Sequence, residues 1–153
     1  MPNKNLNDFT PIKQGTQPSF VSEENHRKHI GSNPNGLHCR QYHVDGTILT
    51  AADGKKCDYL LVNDDGKDAY FIELKGKKIT DAVEQLEAAI ETLKGSLDGY
   101  HLFRRIIANK PSTHDIKGST VTLWKRKCRG EETYHGQKNV VIADTQHTDI
   151  MVR

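Results

Sequence analysis

Apolar residues fall into short runs along the chain, and two of these runs flank a polar turn. CDYLLV at 57–62 and AYFIELK at 69–75 are mostly apolar, and Asn-Asp-Asp-Gly at 63–66 lies between them. Short, nearly continuous apolar runs are typical of strands that are covered on both faces. The pattern therefore predicts a β-hairpin in the middle of a sheet.

The segment before this hairpin carries two more turn signals, Asp45-Gly46 and Asp53-Gly54, between stretches that read as strands. An Asp-Gly pair favours the tight turn of a β-hairpin because glycine accepts the left-handed backbone conformation. We therefore expect a meander of strands from about residue 36 to residue 76.

The clearest helix follows at residues 79–99. Apolar residues recur there at steps of three and four, which places them on one helix face: Val83, Leu86, Ile90, Leu93 and Leu97. Thr80 is expected to be the N-cap, Asp81 lies near the positive end of the helix, and Gly99 follows as a stop.

A short helix and several strands complete the predicted elements. Ser22 and the two glutamates after it predict the start of the short helix, and Gly31 follows its end. The expected further strands lie at residues 100–110, 118–130 and 138–144. Residues 148–153 either pair with a sheet or extend from it.

This order of elements predicts an α/β fold in which a mixed β-sheet is flanked by helices. Residues 1–19 contain prolines among polar residues, so they are expected to form an irregular N-terminal arm. The length of 153 residues fits one domain, which we assign to residues 20–153.

Composition narrows the classes of protein that fit. The net charge of +2 is only a weak preference for anionic partners. The three cysteines include no CxxC pair, which indicates free thiols in a reducing compartment. The start resembles no signal peptide, and no segment approaches the roughly 20 apolar residues that span a bilayer. A cytoplasmic protein without membrane contact is therefore expected.

Three charged residues lie inside the predicted hairpin strands: Asp58, Glu73 and Lys75. Side chains alternate between the two faces of a strand, so Glu73 and Lys75 share one face. A hairpin places the start of one strand opposite the end of the next, so Asp58 is expected to face them. Ionisable groups in buried strands need a partner or a chemical role.

This grouping suits hydrolysis of a phosphodiester. Asp58 and Glu73 can hold a hard divalent cation, and the Leu74 carbonyl could supply a third oxygen. Such a cation lowers the pKa of a bound water, and Lys75 could orient that water or stabilise developing charge. Mg²⁺ or Mn²⁺ is the expected cofactor.

Asp58 followed by Glu-Leu-Lys at 73–75 resembles the catalytic motif of the PD-(D/E)XK nuclease superfamily, with Cys57 where the family usually has proline. The resemblance covers roughly residues 22–109. It implies a restriction-endonuclease-like core and a metal-dependent nuclease. Endonuclease activity is favoured over exonuclease activity, and DNA is favoured over RNA.

The resemblance also implies roles for two further positions. Such cores often carry a metal-facing glutamate on the first helix, and Glu24 is preferred over Glu23 for this role. RecB-like members carry a glutamine on the helix after the lysine strand, and Gln85 looks similar, although Ala89 stands where they usually have tyrosine. Some members are dimers, so a homodimer or another protein partner is a further expectation.

Each assignment has a simpler alternative. The charged triad could be an ion pair at strand ends, and the two glutamates could complement a helix N-terminus. Gln85 could be an ordinary exposed helix residue. The whole chain could also be a non-catalytic module of the same fold that binds nucleic acid or protein within a larger complex.

Histidines contribute weaker expectations. His26 and His29 have HxxH spacing, but no second pair of ligands supports a zinc site, so both are expected to be solvated on the short helix. His43, His101 and His135 could contact phosphate.

Basic residues cluster in four stretches that together could follow a phosphate backbone: Lys75 to Lys78, Arg104 with Arg105, Lys110, and Lys125 to Arg129. Each stretch could equally be a solvated face. Tyr134 could stack on a base, whereas Trp124 is expected to pack in the core.

Overall fold

The structure is a computed structural model that describes residues 3–50, 57–74 and 78–153. The helices of this part are α1 (Ile79–Leu93), α2 (Thr113–Lys117) and α3 (Ser119–Lys127), with 3-10 turns at Leu6–Asp8 and Lys94–Leu97. The strands are β1 (Lys13–Gly15), β2 (Ser19–Glu24), β3 (Arg27–Ser32), β4 (Cys39–His43), β5 (Tyr59–Asn63), β6 (Asp68–Leu74), β7 (His101–Ala108), β8 (Thr133–Tyr134), β9 (Gln137–Lys138), β10 (Val140–Asp144) and β11 (Gln146–Ile150).

Six strands form one mixed sheet in the order β1-β4-β5-β6-β7-β10. The first four strands pair antiparallel, and β6, β7 and β10 pair parallel. Two neighbouring parallel strands need a long crossover, which α1 provides between β6 and β7. The molecule is therefore a mixed α/β fold with helices flanking a multi-stranded sheet, as the order of elements predicts.

Helix α1 covers one face of this sheet through its apolar stripe. Its buried residues pack against the inward-facing residues of the central strands, among them Leu86, Ala89 and Leu93 from the helix and Leu60, Phe71 and Ile106 from the sheet. Val121 and Trp124 of α3 belong to the same core. The predicted helix and its stripe are thus confirmed.

A second sheet, of β11, β3 and β2, covers the opposite face. Phe20 and Met151 pack there against Tyr70 and Phe103 of the main sheet. Gly31 on β3 lies against the side chain of Leu61, which leaves no room for a larger residue. Because the main sheet is covered on both faces, its central strands read as continuous apolar runs.

The N-terminal segment packs against the domain from residue 3 onwards. Leu6 is buried in the core shared with α1, and the Lys4 amide donates to the Thr92 carbonyl. Strand β1 pairs with β4. No helix in the described part of the chain is long and apolar enough to cross a membrane.

The short helix expected after Ser22 is wrong, because this region forms the hairpin of β2 and β3. Asn25 and His26 make the turn with left-handed φ values of 48° and 64°. The buried face of β3 shows no apolar alternation in the sequence, because its residues are Arg27, His29 and Gly31. His29 is therefore a buried strand residue and not a solvated helix residue.

Two further expectations are corrected. The strand predicted at residues 118–130 is α3, in which Val121 and Trp124 lie one helical turn apart and are both buried. The N-cap of α1 is Lys78 and not Thr80, and Lys78 makes no capping bond through its side chain. β-branched residues favoured a strand at the first site, but tertiary packing against α1 decides.

The predicted turn after β5 and two of the predicted strands are confirmed. The Asn63–Gly66 turn joins β5 to β6, and strands form in the segments 100–110 and 138–144. Asp45-Gly46 lies in a turn closed by a bridge between Asp45 and Leu49. Asp53-Gly54 lies outside the described residues.

Candidate functional site

Asp58 and Glu73 lie directly opposite each other on neighbouring strands. Tyr59 pairs with Ile72, and the Asp58 amide donates to the Ile72 carbonyl at 3.1 Å, so the register places Asp58 across from Glu73. The residues are only 9% and 2% exposed, and their side chains are hydrogen-bonded to each other. The hairpin geometry expected from the sequence is thus present.

The Asp58 carboxyl group is held by backbone and side-chain donors. The Leu74 amide donates to its Oδ2 at 2.8 Å. Burial raises the pKa of Asp58, and this effect outweighs the hydrogen bonds from Leu74 and Glu73, which lower it. A hydrogen bond between two carboxyl groups requires a proton on one of them. The raised pKa of Asp58 favours such a shared proton.

Gln85 of α1 contacts Glu73. With its amide nitrogen turned towards the strand, Gln85 donates to Glu73 Oε2 at 2.6 Å and to the Asp81 carbonyl at 3.3 Å. The amide thus links the first turn of the helix to the carboxyl group. Gln85 is half-buried and faces the carboxyl pair.

Glu24 reaches the same neighbourhood from an unexpected element. It lies at the end of β2 and not on a helix. Glu24 is exposed, and the loss of part of its hydration raises its pKa, as does the negative charge of Asp58. Glu24 and Asp58 therefore influence each other's charge beside the start of β5.

Two further residues lie near this site: His43, which the sequence indicates as a residue that could contact phosphate, and Asp45, which sequence reasoning missed. The charge of Asp45 raises the pKa of both Glu24 and Asp58, and that of His43 lowers both. The Val44 amide donates to the Asp58 carbonyl at 2.9 Å, which fixes this proximity. Asp45 follows β4, whose end lies beside the start of β5, and this position could have shown that Asp45 is near Asp58. Asp45 was interpreted only as a turn residue.

Of the other expected site residues, the structure describes Leu74 but not Lys75. Leu74 ends β6 and is buried, whereas Lys75 lies outside the described residues.

Cys57 is fully buried, and burial together with Glu73 and Asp58 holds the pKa of its thiol well above the usual range. The Cys57 thiol therefore stays protonated and is no nucleophile.

The donor set fits a hard cation that keeps most of its water. In residues 3–50, 57–74 and 78–153, no three His, Cys, Asp or Glu side chains are arranged to hold one metal ion. Mg²⁺ is commonly bound through one or two carboxylates, with waters and phosphate oxygens completing its octahedron. Asp58 and Glu73 match that requirement, because a cation could replace the proton that they share.

No family model, curated protein or solved structure matches this chain. Its function is therefore argued from the geometry of its own residues.

The two arginines expected in a basic surface have structural roles instead. Arg105 is fully buried and pairs with Asp149, with Nε 2.7 Å from Oδ2. Arg104 Nε donates to Glu87 Oε2 at 2.6 Å, and Trp124 Nε1 donates to the same oxygen. Neither arginine is available to a phosphate backbone, and Trp124 is in the core as expected.

A polar pocket of about 400 Å³ lies where α1 and α3 begin, next in the chain to the carboxyl pair. It is lined by Lys78, Thr80, His114 and Ser119, among others. Amide groups at helix starts and positive side chains both attract phosphate.

Proposed function

We propose that this protein is a metal-dependent nuclease that hydrolyses phosphodiester bonds in nucleic acid. The observation that carries the proposal is the hydrogen-bonded pair of buried carboxyl groups, Asp58 and Glu73. Two adjacent buried acids cost stability, because each loses its hydration and the two repel when both are charged. Holding a divalent cation is a task that needs them together.

Each residue of the site has a role in this proposal. Asp58 and Glu73 hold the cation, with the Leu74 carbonyl as a third oxygen. The cation, Mg²⁺ or Mn²⁺, would neutralise phosphate charge and lower the pKa of the attacking water. Lys75 orients that water or stabilises the developing charge.

The protein also orients the two carboxylates. The Leu74 amide fixes one oxygen of Asp58, and the Gln85 amide fixes one oxygen of Glu73. Such donors restrict the rotation of metal-binding carboxylates and strengthen binding. Glu24, whose charge is coupled to that of Asp58, would be an outer carboxylate in this proposal and would add negative charge beside the cation.

The order of elements supports a restriction-endonuclease-like core. An antiparallel set, β4 to β6, is followed by the crossover helix α1 and the parallel strand β7. The polar pocket at Lys78 supports a substrate with a phosphate backbone. By resemblance to the PD-(D/E)XK superfamily, DNA is the preferred substrate and internal cleavage the preferred reaction.

The second candidate is a non-catalytic module of the same fold that binds nucleic acid or a protein partner. It is favoured by the same hydrogen bond, because a proton shared by Asp58 and Glu73 can hold β5 and β6 together without a cation. The two candidates differ in whether a cation enters the pair.

A cleavage assay separates them. Wild type, Asp58→Asn, Glu73→Gln and Glu91→Gln are incubated with single-stranded DNA, duplex DNA, branched DNA and RNA, each with Mg²⁺, Mn²⁺ or EDTA. Glu91 is the matched control, because it is an exposed acid paired only with Lys94. We expect cleavage by wild type and Glu91→Gln that EDTA abolishes, and none by the other two. Folded wild type that cleaves no substrate would favour the non-catalytic module.

A further inference from the structure

A second pocket lies on the opposite face of the main sheet, between the β8–β9 hairpin and β11. Its volume is about 430 Å³ and its lining is mostly apolar, with His135, His147, Lys138, Thr148 and the carboxylate of Asp149 among its polar residues. We refer to His135, His147, Lys138 and Thr148 as the histidine pocket. The side chains of the two histidines are 23% and 26% exposed, so both can reach a ligand from solvent.

A buried carboxylate holds the first imidazole. His135 Nδ1 lies 2.7 Å from Oδ2 of Asp68, which is fully buried at the start of β6. His135 has a left-handed φ of 53° in the turn before Gly136, a conformation that histidine adopts at a cost. The bond to Asp68 leaves Nε2 as the imidazole nitrogen for a ligand.

A second buried carboxylate holds the other imidazole. His147 Nε2 lies 3.2 Å from Oδ1 of Asp149, which is 2% exposed. Asp149 also accepts hydrogen bonds from Arg105 and contacts His29 Nε2 at 2.8 Å. Nδ1 is therefore the nitrogen of His147 that remains for a ligand.

The charge of the histidine pocket depends on these two imidazoles. Lys138 and Lys125 are both paired with Glu131, Arg105 is paired with Asp149, and Asp68 faces His135. With both imidazoles neutral, these acids and cations balance. With both protonated, the cations outnumber the acids by two, and each imidazole presents an N–H. Protonation thus turns the pocket into an anion site.

An exposed aromatic ring adjoins the pocket. Tyr134 is 40% exposed, and its ring stacks on His101 with centroids 4.1 Å apart and planes 12° apart. The ring centroid of His135 is also 4.1 Å from that of Tyr134. An exposed aromatic ring that is fixed by stacking, next to a site for an anion, can bind a nucleotide unit. The base stacks on the ring while the phosphate occupies the anion site.

We propose that the histidine pocket binds the phosphate of a nucleotide between His135 and His147, with the base stacked on Tyr134. The subsite is separate from the carboxyl pair. Asp68 and Glu73 lie five residues apart on β6, roughly 17 Å, and point to opposite faces. The proposal therefore holds whether or not the protein cleaves nucleic acid.

The test is a titration followed by NMR of labelled histidine and tyrosine rings, in EDTA so that no cation enters the carboxyl pair. The probes are inorganic phosphate, thymidine 5′-monophosphate and thymidine, at pH 6 and pH 8. We expect both phosphate-bearing probes to shift the rings of His135 and His147 and to bind about tenfold more weakly at pH 8 than at pH 6, because only a protonated imidazole adds positive charge beside the phosphate. Only the nucleotide should bind more tightly than phosphate and shift Tyr134.

Variants assign the contacts. His135→Gln and His147→Gln should each weaken phosphate binding about tenfold, and Gln keeps a donor for the buried carboxylate. His38→Gln is the matched control, because His38 is also paired with an acid, Asp64, but lies outside the pocket. Tyr134→Leu should reduce nucleotide affinity to that of phosphate. Phosphate binding that is undetectable, or unchanged in both pocket variants, would overturn the proposal.

Discussion

At the scale of single residues, the most informative feature is a pair of acids placed where acids are costly. Asp58 and Glu73 are almost fully buried and share a hydrogen bond. Burial raises the pKa of Asp58, so between the unfolded and the folded pKa the folded protein binds a proton that the unfolded chain has released. Stability therefore falls as the pH rises above the unfolded pKa of aspartate, about 3.9, and the loss is complete above the folded pKa of Asp58.

Removing one charge from the pair should stabilise the fold and weaken the proposed nuclease activity. In Asp58→Asn, the amide can accept from Leu74 and donate to Glu73, and no second charge remains. We expect a higher free energy of unfolding, with a larger gain at pH 8 than at pH 4, and about a 100-fold loss of cleavage. Urea denaturation at the two pH values measures the first, with Glu91→Gln as the unchanged control. A variant that is less stable than wild type at pH 8 would refute this account.

Cation binding should be visible without any substrate. Mn²⁺ that binds the folded protein at ten times its dissociation constant should add about 1.4 kcal/mol of stability. Thermal unfolding with and without Mn²⁺ measures this gain. It should disappear in Asp58→Asn and Glu73→Gln and persist in Glu91→Gln. An equal shift in all four proteins would mean that Mn²⁺ binds elsewhere.

At the scale of elements, a buried ion pair joins the two sheets. Arg105 on β7 belongs to the main sheet, and Asp149 on β11 belongs to the small one. Arg105 makes two hydrogen bonds to the carboxylate and two more to backbone carbonyls. Hydrogen bonds from His147, His29 and Arg105 hold the pKa of Asp149 far below its usual range despite its burial. The position of β11 therefore depends on a polar contact inside an apolar layer.

Breaking this pair should be severe. Asp149→Ala leaves the guanidinium of Arg105 buried without its carboxylate, which costs about 3–5 kcal/mol in comparable buried pairs. The exposed pair of Glu91 and Lys94 is the control, and Glu91→Ala should cost less than about 1 kcal/mol. Urea denaturation measures both values. Equal costs for the two variants would contradict the proposed importance of burial.

His29 should make the fold sensitive to mild acid. Burial lowers its pKa below the usual value, and its Nδ1 meets no hydrogen-bond partner among the described residues. The unfolded chain thus binds a proton that the folded protein refuses, so stability falls as the pH drops below about 6.5. Denaturation of wild type and His29→Gln at pH 7 and pH 5 tests this. The loss between the two pH values should be smaller in the variant.

Elements with a clear period of apolar residues within their own segment could be predicted from the sequence. The β5–β6 hairpin and α1 have clear apolar periods, so the Asp58–Glu73 contact follows from register alone. The β2–β3 hairpin could not be predicted, because its buried residues include Arg27 and His29. Those polar residues are buried because their partners come from distant segments of the chain. Hydrophobic periodicity within one segment does not show such partners.

At the scale of the whole molecule, the end of the chain closes the fold. The Asn63 side chain donates to the Val152 carbonyl at 2.8 Å and accepts from the Gly66 amide at 3.0 Å. Met151 is fully buried. The β5–β6 turn is thereby tied to residues almost ninety positions away, and this contact leaves no room for a side chain at Gly66.

A methyl group at this turn should therefore disturb the closure. In Gly66→Ala, the new Cβ would meet the Val152 carbonyl oxygen and the Asn63 amide, and the backbone would have to shift. We expect a loss of about 1–3 kcal/mol in urea denaturation. Gly95→Ala is the control, because a Cβ there meets nothing within 4 Å and should be neutral or slightly stabilising. An unchanged Gly66→Ala would mean that the chain end is loosely held.

Strand β6 carries an ionisable residue near each end, Asp68 and Glu73, on opposite faces of the sheet. They point in opposite directions only because an odd number of steps separates them. One residue inserted between them would turn both acids to the same side, where one of them would lose its partners. The number of residues in this strand is thus as restrictive as their identity, and relatives of this chain should differ here by substitution and not by length.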